Sequence, residues 1–278
     1  MWGLTLRNSN VPDINIYLYD IYVTKIGRKQ VNSINVYWAP ISQYYQNQLY
    51  REPNLVKDDL LLLRNKSQKG SIFACPAHTD LMRNLYVFKS NINDKIEIPE
   101  RFLNIISDEE DSEVNEGLAR LNSLVGLGNH RATSLVGYKN MEYAMGWIFF
   151  AEEPLVARFT APYLPTHAPA NGVILSAGEF DIGQWARPFN LDYFIPNDTR
   201  TFEYKVDDPF FYVQFLTEKE VNLKRFKTTP KFDDIWQESV QSPSRYGKRK
   251  PLSYRYEMAK RAKIREVVLS EIKNNLVD

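Results

Sequence analysis

The sequence has few of the residues that build covalent or metal-bound frameworks. Cys75 is the only cysteine among the 278 residues, which excludes an internal disulfide and any cysteine-rich zinc module. Histidine is nearly as rare, with three copies. The sequence also contains no glycine-rich phosphate loop, no Ser–His–Asp order and no paired C-x-x-C motif. The single cysteine is typical of a protein from a reducing compartment.

Net charge and long apolar runs are equally scarce. The formal net charge is +1, so overall charge gives no argument for binding nucleic acid or membranes. The longest apolar candidate, around 60–63, is far shorter than the ~18 residues that a membrane-spanning helix needs. Residues 1–8 lack the basic-then-apolar layout of a signal peptide. We therefore expect a soluble, cytosolic protein without a membrane partner.

Aromatic side chains are the abundant class. The chain has 17 Tyr, 15 Phe and 5 Trp, which together make 13% of the residues. Such side chains favour strands, and short apolar-aromatic runs separated by Pro and Gly extend from Trp147 to Phe226. This pattern predicts a mainly β protein: a β-sandwich or jelly-roll-like body with short helices and a C-terminal amphipathic helix. We expect the β-rich body at 1–230 and a basic linker with the C-terminal helix at 231–278.

Two segments with period-two alternation flank a glycine-containing turn near 27–29. They predict a β-hairpin in which each strand buries one face. The residues that define those faces are Ile14, Ile16, Leu18, Ile34, Val36 and Trp38. Further short strands are predicted at 71–75, at 85–88 and around 96–98, and one or two short helices within 41–70.

Two turns later in the chain have similar sequences. EEPLVARFT at 152–160 is matched, with an insertion, by DDPFFYVQFLT at 207–217. In both, an acidic pair and a proline predict a turn, and the following residues predict a strand. The pair is open to two interpretations: a duplicated ligand loop, or two hairpins of one sandwich with the same turn chemistry. Turn chemistry favours the second.

The C-terminal region is basic. Residues 224–265 contain thirteen Lys and Arg against four acids. Ser253 is the predicted N-cap of a helix with a narrow apolar stripe, which suits docking on the body or on a partner. That stripe consists of Tyr254, Met258, Ile264, Val268, Ile272 and Leu276. Because the preceding linker is polar and contains Pro and Gly, we predict that this helix is an assembly element.

The same basic region supports a nucleic-acid hypothesis, because phosphate binding needs clustered Lys and Arg. The candidate residues are Arg245, Lys248, Arg249, Lys250, Lys260, Arg261, Lys263 and Arg265. Few aromatic residues are interleaved with them, so support for base stacking is modest. The alternative is a solvated face that meets the acidic segment 97–116, which has eight acids, in the same or a neighbouring copy.

His78 and Asp80 form an H-x-D triplet, with His130 and His167 downstream. Two histidines and a carboxylate bind one face of Fe(II) and leave positions for a 2-oxo acid and oxygen, so His78, Asp80 and His130 are candidate iron ligands on neighbouring strands of a jelly roll. The alternative interpretation is a loop that opens a helical turn. The neighbouring Cys75 is interpreted as a small buried residue.

The segment 178–188 has the densest cluster of unusual residues. Glu179 and Asp181 are expected on one face of a strand, with Trp185 and Arg187 close behind. As a site, the cluster predicts an acid/base pair or a sugar-binding surface around Trp185. As structure, it predicts a strand, a glycine bend and a corner fixed by an ion pair of Arg187 with one carboxylate. The structural interpretation explains every residue of the cluster.

Five segments carry a family resemblance. They are IFACPA at 72–77, WIFFAEEPL at 147–155, APY at 161–163, SAGEFDIGQWARP at 176–188 and DPFFYV at 208–213. Over residues 71–226 the chain resembles a family of uncharacterised proteins from tailed-bacteriophage genomes. The resemblance implies a phage origin, and it implies no activity and no catalytic residues.

Three functional hypotheses follow. We favour a non-enzymatic phage-type protein without a cofactor, virion-associated or acting in assembly, in the host cytoplasm or the virion. Its partners would be other protein subunits, including copies of itself. The second hypothesis is an Fe(II)- and 2-oxo acid-dependent oxygenase. The third is a nucleic-acid-binding protein that uses the basic C-terminal region.

Overall fold

A computed structural model describes residues 32–40, 51–59, 75–91, 93–98, 104–107, 125–127, 136–164, 172–184, 186, 188–240, 254, 257–258, 260 and 263–277. The chain divides into two units, Met1–Asn32 and Ser33–Asp278. Of the first unit, the described part contains Asn32 alone.

The second unit is mainly β, as the aromatic composition predicted. Its helices are α1 (Pro76–Leu81), α2 (Pro230–Val240) and α3 (Ile264–Asn274). Its strands in chain order are β1 (Ser33–Pro40), β2 (Asn54–Leu55), β3 (Leu85–Lys89), β4 (Asp94–Glu97), β5 (Asn104–Ser107), β6 (Val125–Leu127), β7 (Tyr138–Ala151), β8 (Val156–Thr160), β9 (Ile174–Leu175), β10 (Gly178–Asp181), β11 (Pro188–Pro196), β12 (Thr201–Tyr204), β13 (Pro209–Phe215) and β14 (Glu220–Arg225).

The first sheet has the order β14-β1-β7-β11-β9, and β6 also pairs with β7. β1 runs parallel to β14, with Trp38 opposite Arg225, and antiparallel to β7, with Trp38 opposite Phe149. The predicted partner of β1, the strand at 14–18, lies outside the described residues. The predicted hairpin pairing therefore stays a prediction, whereas the expectation of a single buried face is wrong for 33–40. β1 is a central strand, and its two faces are both buried.

The second sheet has the order β10-β8-β13-β3-β2, and the third has the order β12-β4-β5. The two similar turns do not form hairpins, because each joins strands of different sheets. The 152–155 turn leads from β7 in the first sheet to β8 in the second, and the 205–208 turn leads from β12 in the third sheet to β13 in the second. The strands that follow them, β8 and β13, are antiparallel neighbours. In both places, therefore, the chain passes from another sheet into the second sheet.

An aromatic cluster joins the first and second sheets. Phe88 of β3 stacks on Phe211 of β13, with ring centroids 4.7 Å apart. From the first sheet, Trp147 and Phe149 of β7 each lie 5.5 Å from the Phe88 ring. These rings belong to one hydrophobic cluster with members from both sheets. The aromatic residues that favour strands locally therefore also supply most of the volume of this core.

The outer face of the first sheet is covered by α2 and α3. Val268 and Ile272 of α3 are 1% and 0% exposed and pack in one cluster with Tyr37 and Phe150. The prediction that the C-terminal helix is an assembly element and not part of the core is therefore wrong for α3. The physical reason is that the other face of β1 and β7 is itself apolar and takes up the stripe. Phe232 of α2 packs in the same cluster as Phe226. This cluster therefore extends across residue 230, where the β-rich body was expected to end.

Smaller predictions have mixed outcomes. The strand at 85–88 is confirmed as β3, and the strand near 96–98 is present as β4. Of the strand predicted at 71–75 only Cys75 is described, and it is exposed just before α1, so its interpretation as a buried residue is wrong. In 41–70, the described residues contain β2 and a helical stretch at 56–59. Among the described helices, none has the length and hydropathy of a membrane span.

Candidate functional site

The cluster predicted at 178–188 forms a corner at the end of β10. Glu179 lies opposite Arg158 of β8 in the strand register, and their side chains form an ion pair with N–O distances of 2.7 Å. The carboxylate of Asp181 accepts hydrogen bonds from the backbone N–H of Gly183 at 3.0 Å and from the side chain of Gln184 at 2.6 Å. Both carboxylates therefore bind groups of the strand pair and its turn.

Arg187 and Trp185, the other two predicted members of this cluster, lie outside the described residues. The arginine that pairs with Glu179 is Arg158. A cross-strand pair of opposite charges is the ordinary partner arrangement on one face of an antiparallel sheet. Sequence spacing suggested Arg187 because it is close in the chain, whereas β8 is close in space.

The corner is packed directly against the 152–155 turn. Ala151 donates a backbone hydrogen bond to the Ile182 carbonyl at 3.0 Å, and Ile182 donates one to Leu155 at 2.9 Å. Gly183 approaches so closely that an added Cβ would lie 2.2 Å from the Glu153 carbonyl oxygen. Only glycine fits at this approach of two backbone segments.

The carboxylate of Glu152 in that turn binds side chains from two other elements. Its Oε1 accepts a hydrogen bond from the Tyr37 hydroxyl at 2.6 Å and forms an ion pair with Lys273 Nζ at 3.0 Å. Its Oε2 accepts a hydrogen bond from Asn35 Nδ2 at 3.0 Å. Asn35 and Tyr37 belong to β1, whereas Lys273 is in the last turn of α3. The carboxylate thus connects the centre of the first sheet with the C-terminal helix.

Arg265 completes this arrangement from the first turn of α3. Its Nε donates to the Gly183 carbonyl at 2.8 Å, and a second guanidinium nitrogen donates to the Glu152 carbonyl. The nucleic-acid hypothesis had placed Arg265 among the phosphate-binding residues, but its guanidinium is directed at these backbone carbonyls. We call the group Asn35, Tyr37, Glu152, Gly183, Arg265 and Lys273 the corner junction.

The corner junction shifts the titration of two of its members. Burial raises the pKa of the Glu152 carboxyl, but hydrogen bonds from Tyr37, Lys273 and Asn35 outweigh burial, and the pKa lies below its usual value. For Tyr37, burial raises the pKa of the hydroxyl, and its hydrogen bond to the Glu152 carboxylate and the negative charge there raise it further. The structure therefore favours an ionised Glu152 that accepts a hydrogen bond from a neutral Tyr37 hydroxyl.

This geometry supports a connecting role. The Glu152 carboxylate already accepts three donors, and its carbonyl accepts a fourth. Hydrogen bonds to an ionised group are about twice as strong as neutral ones, so the set holds its elements firmly. In chemical terms, the corner junction joins β1, the 152–155 turn, the 181–184 corner and α3.

The H-x-D triplet lies on α1. His78 and Asp80 are two positions apart on this helix, and side chains at that spacing point to different faces. Asp80 forms an ion pair with Arg83 at 2.9 Å. The strand placement assumed for the iron site is therefore wrong, and the alternative interpretation, a helical turn, is confirmed.

The remaining ligand candidates do not extend that site. His130 and His167 lie outside the described residues. Within the described part of the chain, no group of three or more His, Cys, Asp or Glu side chains is placed to hold a metal ion. The iron hypothesis stays a prediction to which the geometry adds no support.

The basic segment is described at a few positions. Of the six residues Arg245, Lys248, Arg249, Lys250, Lys260 and Arg261, the structure describes Lys260, which is exposed. Lys263, at the start of α3, is also exposed. Upstream of them, Tyr254 and Met258 are 43% and 46% exposed. The apolar stripe predicted for one helix is thus divided: Val268 and Ile272 are buried on the sheet, whereas Tyr254, Met258 and Leu276 are exposed.

Comparison with known proteins gives no relative. The chain matches no protein-family model, and no curated protein and no solved structure is significantly similar to it. The bacteriophage resemblance over 71–226 therefore stays a prediction.

The corner junction was not predicted from the sequence as a unit. Glu152 was seen as part of a turn, Tyr37 as one face of an alternating strand, and Lys273 only as part of the C-terminal helix. The sequence feature at this position was the acidic pair before Pro154. A similar pair precedes Pro209, and at both positions the chain passes to another sheet. Nothing local predicts that a helix more than a hundred residues later supplies the basic partner.

Proposed function

We propose that this chain is a non-enzymatic, phage-type assembly protein that associates with other protein subunits, copies of itself included, in the host cytoplasm or in a virion. The phage setting rests on the resemblance over 71–226. We also propose that its body is a β-sandwich of jelly-roll-like character. The hydrophobic cluster shared by the first and second sheets supports that fold.

The observation that carries the assembly proposal is the exposed pair Tyr254 and Met258. Both positions are helical and four residues apart, so the two side chains are neighbours on one helix face. Apolar side chains at this spacing are the anchors by which helices bind grooves of partner proteins. Their exposed fractions, 43% and 46%, contrast with the full burial of Val268 and Ile272 on the same predicted stripe.

The surroundings of this pair indicate the chemistry of the partner. Lys260 and Lys263 follow it and are exposed. An apolar contact with positive charge on one side favours a partner surface with an apolar centre and acidic residues beside it. The acidic segment 97–116, in a second copy of the chain, has the required charge. We therefore propose self-association as the first form of assembly to test.

The experiment is size-exclusion chromatography with light scattering on the full chain over a range of protein concentrations. The wild type is expected to associate as concentration rises, and added salt should weaken the association because it screens the charges. The double variant Tyr254→Ser, Met258→Ser should stay monomeric over the same range. A matched control is Val267→Ser, which changes an apolar residue of similar exposure, 42%, on the neighbouring helix α3.

Two results would contradict the proposal. A wild-type protein that stays monomeric at every concentration would contradict the proposed self-association. Equal loss of association in the double variant and in the Val267→Ser control would show that the Tyr254–Met258 pair is not the binding surface.

A further inference from the structure

β10 is an edge strand of the second sheet. In the described part of the chain its one neighbouring strand is β8, with Glu179 opposite Arg158 and Asp181 opposite Val156. The free side of an edge strand presents backbone N–H and C=O groups with which another extended segment can pair. At β10 the five-stranded second sheet can therefore accept one more strand.

The backbone groups on the free side of β10 belong to Glu179 and Asp181. Just beyond the strand, Ile182 donates its N–H to the Leu155 carbonyl beside β8. Backbone groups in an antiparallel pair point alternately toward and away from the neighbouring strand, so Phe180 bonds to β8, whereas Glu179 and Asp181 point away from it. Among the described residues, none forms a backbone hydrogen bond with these two acids on the free side.

The acidic face of β10 favours positive charge in an added strand. Glu179 and Asp181 are two positions apart, so both side chains lie on the same face. On the β8 side, Arg158 pairs with the Glu179 carboxylate at 2.7 Å. A basic residue on the free side would extend this into a row of alternating charges across three strands. Opposite charges that face each other across strands are stabilising.

The same carboxylates disfavour a second copy of β10 as the added strand. Antiparallel pairing of two copies centred on Phe180 would bring Glu179 of one copy opposite Asp181 of the other. Pairing centred on Glu179 would bring the two Glu179 side chains together. Like charges directly opposite each other are destabilising, and charged residues are a common means by which edge strands avoid pairing with themselves.

The other face of β10 is apolar at Phe180. Its ring is partly buried and packs against Phe159 and Phe189, with ring centroids 5.7 and 4.8 Å apart. A residue placed beside Phe180 in an added strand would extend this face, because its side chain would point to the same side of the sheet. An apolar residue therefore suits that position.

We propose that β10 binds an extended segment of another protein in which basic residues alternate with apolar ones, as an added strand of the second sheet. The basic side chains lie beside Glu179 and Asp181, and the apolar residue between them lies beside Phe180. In this mode of recognition, backbone hydrogen bonds give affinity and alternate side chains give specificity. The inference uses none of the residues that carry the proposed self-association, so either can fail without the other.

The probe is a short synthetic peptide, acetylated and amidated at its ends, in which lysine and valine alternate. Its binding to the full chain is measured by isothermal titration calorimetry, and amide hydrogen exchange is followed by NMR. At a free peptide concentration of about ten times the Kd, the amides of Glu179 and Asp181 should exchange about tenfold more slowly. Absence of binding at peptide concentrations up to about 1 mM would refute the inference.

Methylation of the peptide nitrogens separates strand addition from simple charge attraction. Lysines opposite Glu179 and Asp181 direct their N–H groups at β10, whereas the valines between them direct theirs away. Methylation of the lysine backbone nitrogens should therefore weaken binding about tenfold more than methylation of the valine nitrogens, which corresponds to about 1.4 kcal/mol. Both peptides keep the same charge, so equal binding of the two would overturn the inference.

A charge reversal in the protein tests the acidic face. Glu179→Lys should weaken binding of the alternating peptide about tenfold. The matched control is Glu218→Lys, which makes the same change of net charge in the exposed turn between β13 and β14. Equal weakening in both variants would reduce the interaction to net charge and refute the site. If the Glu179 and Asp181 amides become protected as protein concentration rises without peptide, the added strand is a second copy, and the assignment is overturned.

Discussion

Gly183 offers the sharpest test of how the corner is built. In Gly183→Ala the new Cβ would lie 2.2 Å from the Glu153 carbonyl oxygen and 2.6 Å from the Pro154 Cα, and both atoms belong to the backbone. Neither can move away by changing a rotamer, so the 152–155 turn and the 181–184 corner must separate. Forcing extra volume into such a site costs about 1–3 kcal/mol.

The separation would also weaken two hydrogen bonds. Gly183 donates its N–H to Asp181 and accepts from Arg265 through its carbonyl. Each contributes about 0.5–1.5 kcal/mol, so the expected loss in the free energy of unfolding is about 2–4 kcal/mol. The assay is equilibrium unfolding in urea, followed by tryptophan fluorescence and by far-UV circular dichroism to check that both report one transition.

Gly178→Ala is the matched control, at the start of the same strand-and-turn segment. Its added Cβ would lie 3.4 Å from a Phe180 ring atom, which is an ordinary contact. The control should change the free energy of unfolding by at most about 1 kcal/mol, in the stabilising direction, because alanine restricts the unfolded chain. A Gly183→Ala variant within about 0.5 kcal/mol of the wild type would refute the close approach of the two segments.

Three further predictions concern the core, α3 and pH. Phe88→Ala should lower the free energy of unfolding by about 3–5 kcal/mol in urea, whereas the half-exposed Tyr163, changed to Ala, should cost far less. Ile272→Ala should cost about 2–5 kcal/mol, because its side chain is fully buried under the first sheet, and Val267→Ala should cost little. The folded pKa of Glu152 lies below its ordinary value of 4.5, so its contribution to stability is present above about pH 4.5 and lost as pH falls through the folded pKa. Unfolding of Glu152→Gln at pH 7 and pH 3 should therefore show a smaller pH dependence than the wild type, and an unchanged dependence would contradict the assignment.

The local sequence pattern was sufficient to predict individual strands. Leu85–Lys89 and Ser33–Pro40 both form strands, because their apolar, aromatic and β-branched residues suit a buried pleated surface. The change to helix at α1 was also foreseen as an alternative, since Cys75 and Pro76 open a turn. The β class and the dominance of aromatic packing follow from composition.

Partners, by contrast, were decided by tertiary structure. β1 lies between β7 and β14, which come much later in the chain, and its alternating sequence predicted neither partner. Alternation reports which residues share a face, and it carries no information on which strand lies alongside. The same limit explains Glu179, whose partner Arg158 is opposite in register and twenty-one positions away.

The C-terminal helix shows this division most clearly. Its stripe determined that Val268 and Ile272 must be covered, because apolar area left in water is unfavourable by roughly 25 cal/mol per Å². Which surface covers them depended on whether the face of β1 that contains Tyr37 is polar or apolar. That face is apolar, and both faces of β1 are buried. The sequence by itself thus determined that a docking surface was needed, and only the packing of the whole sheet decided that the chain provides it.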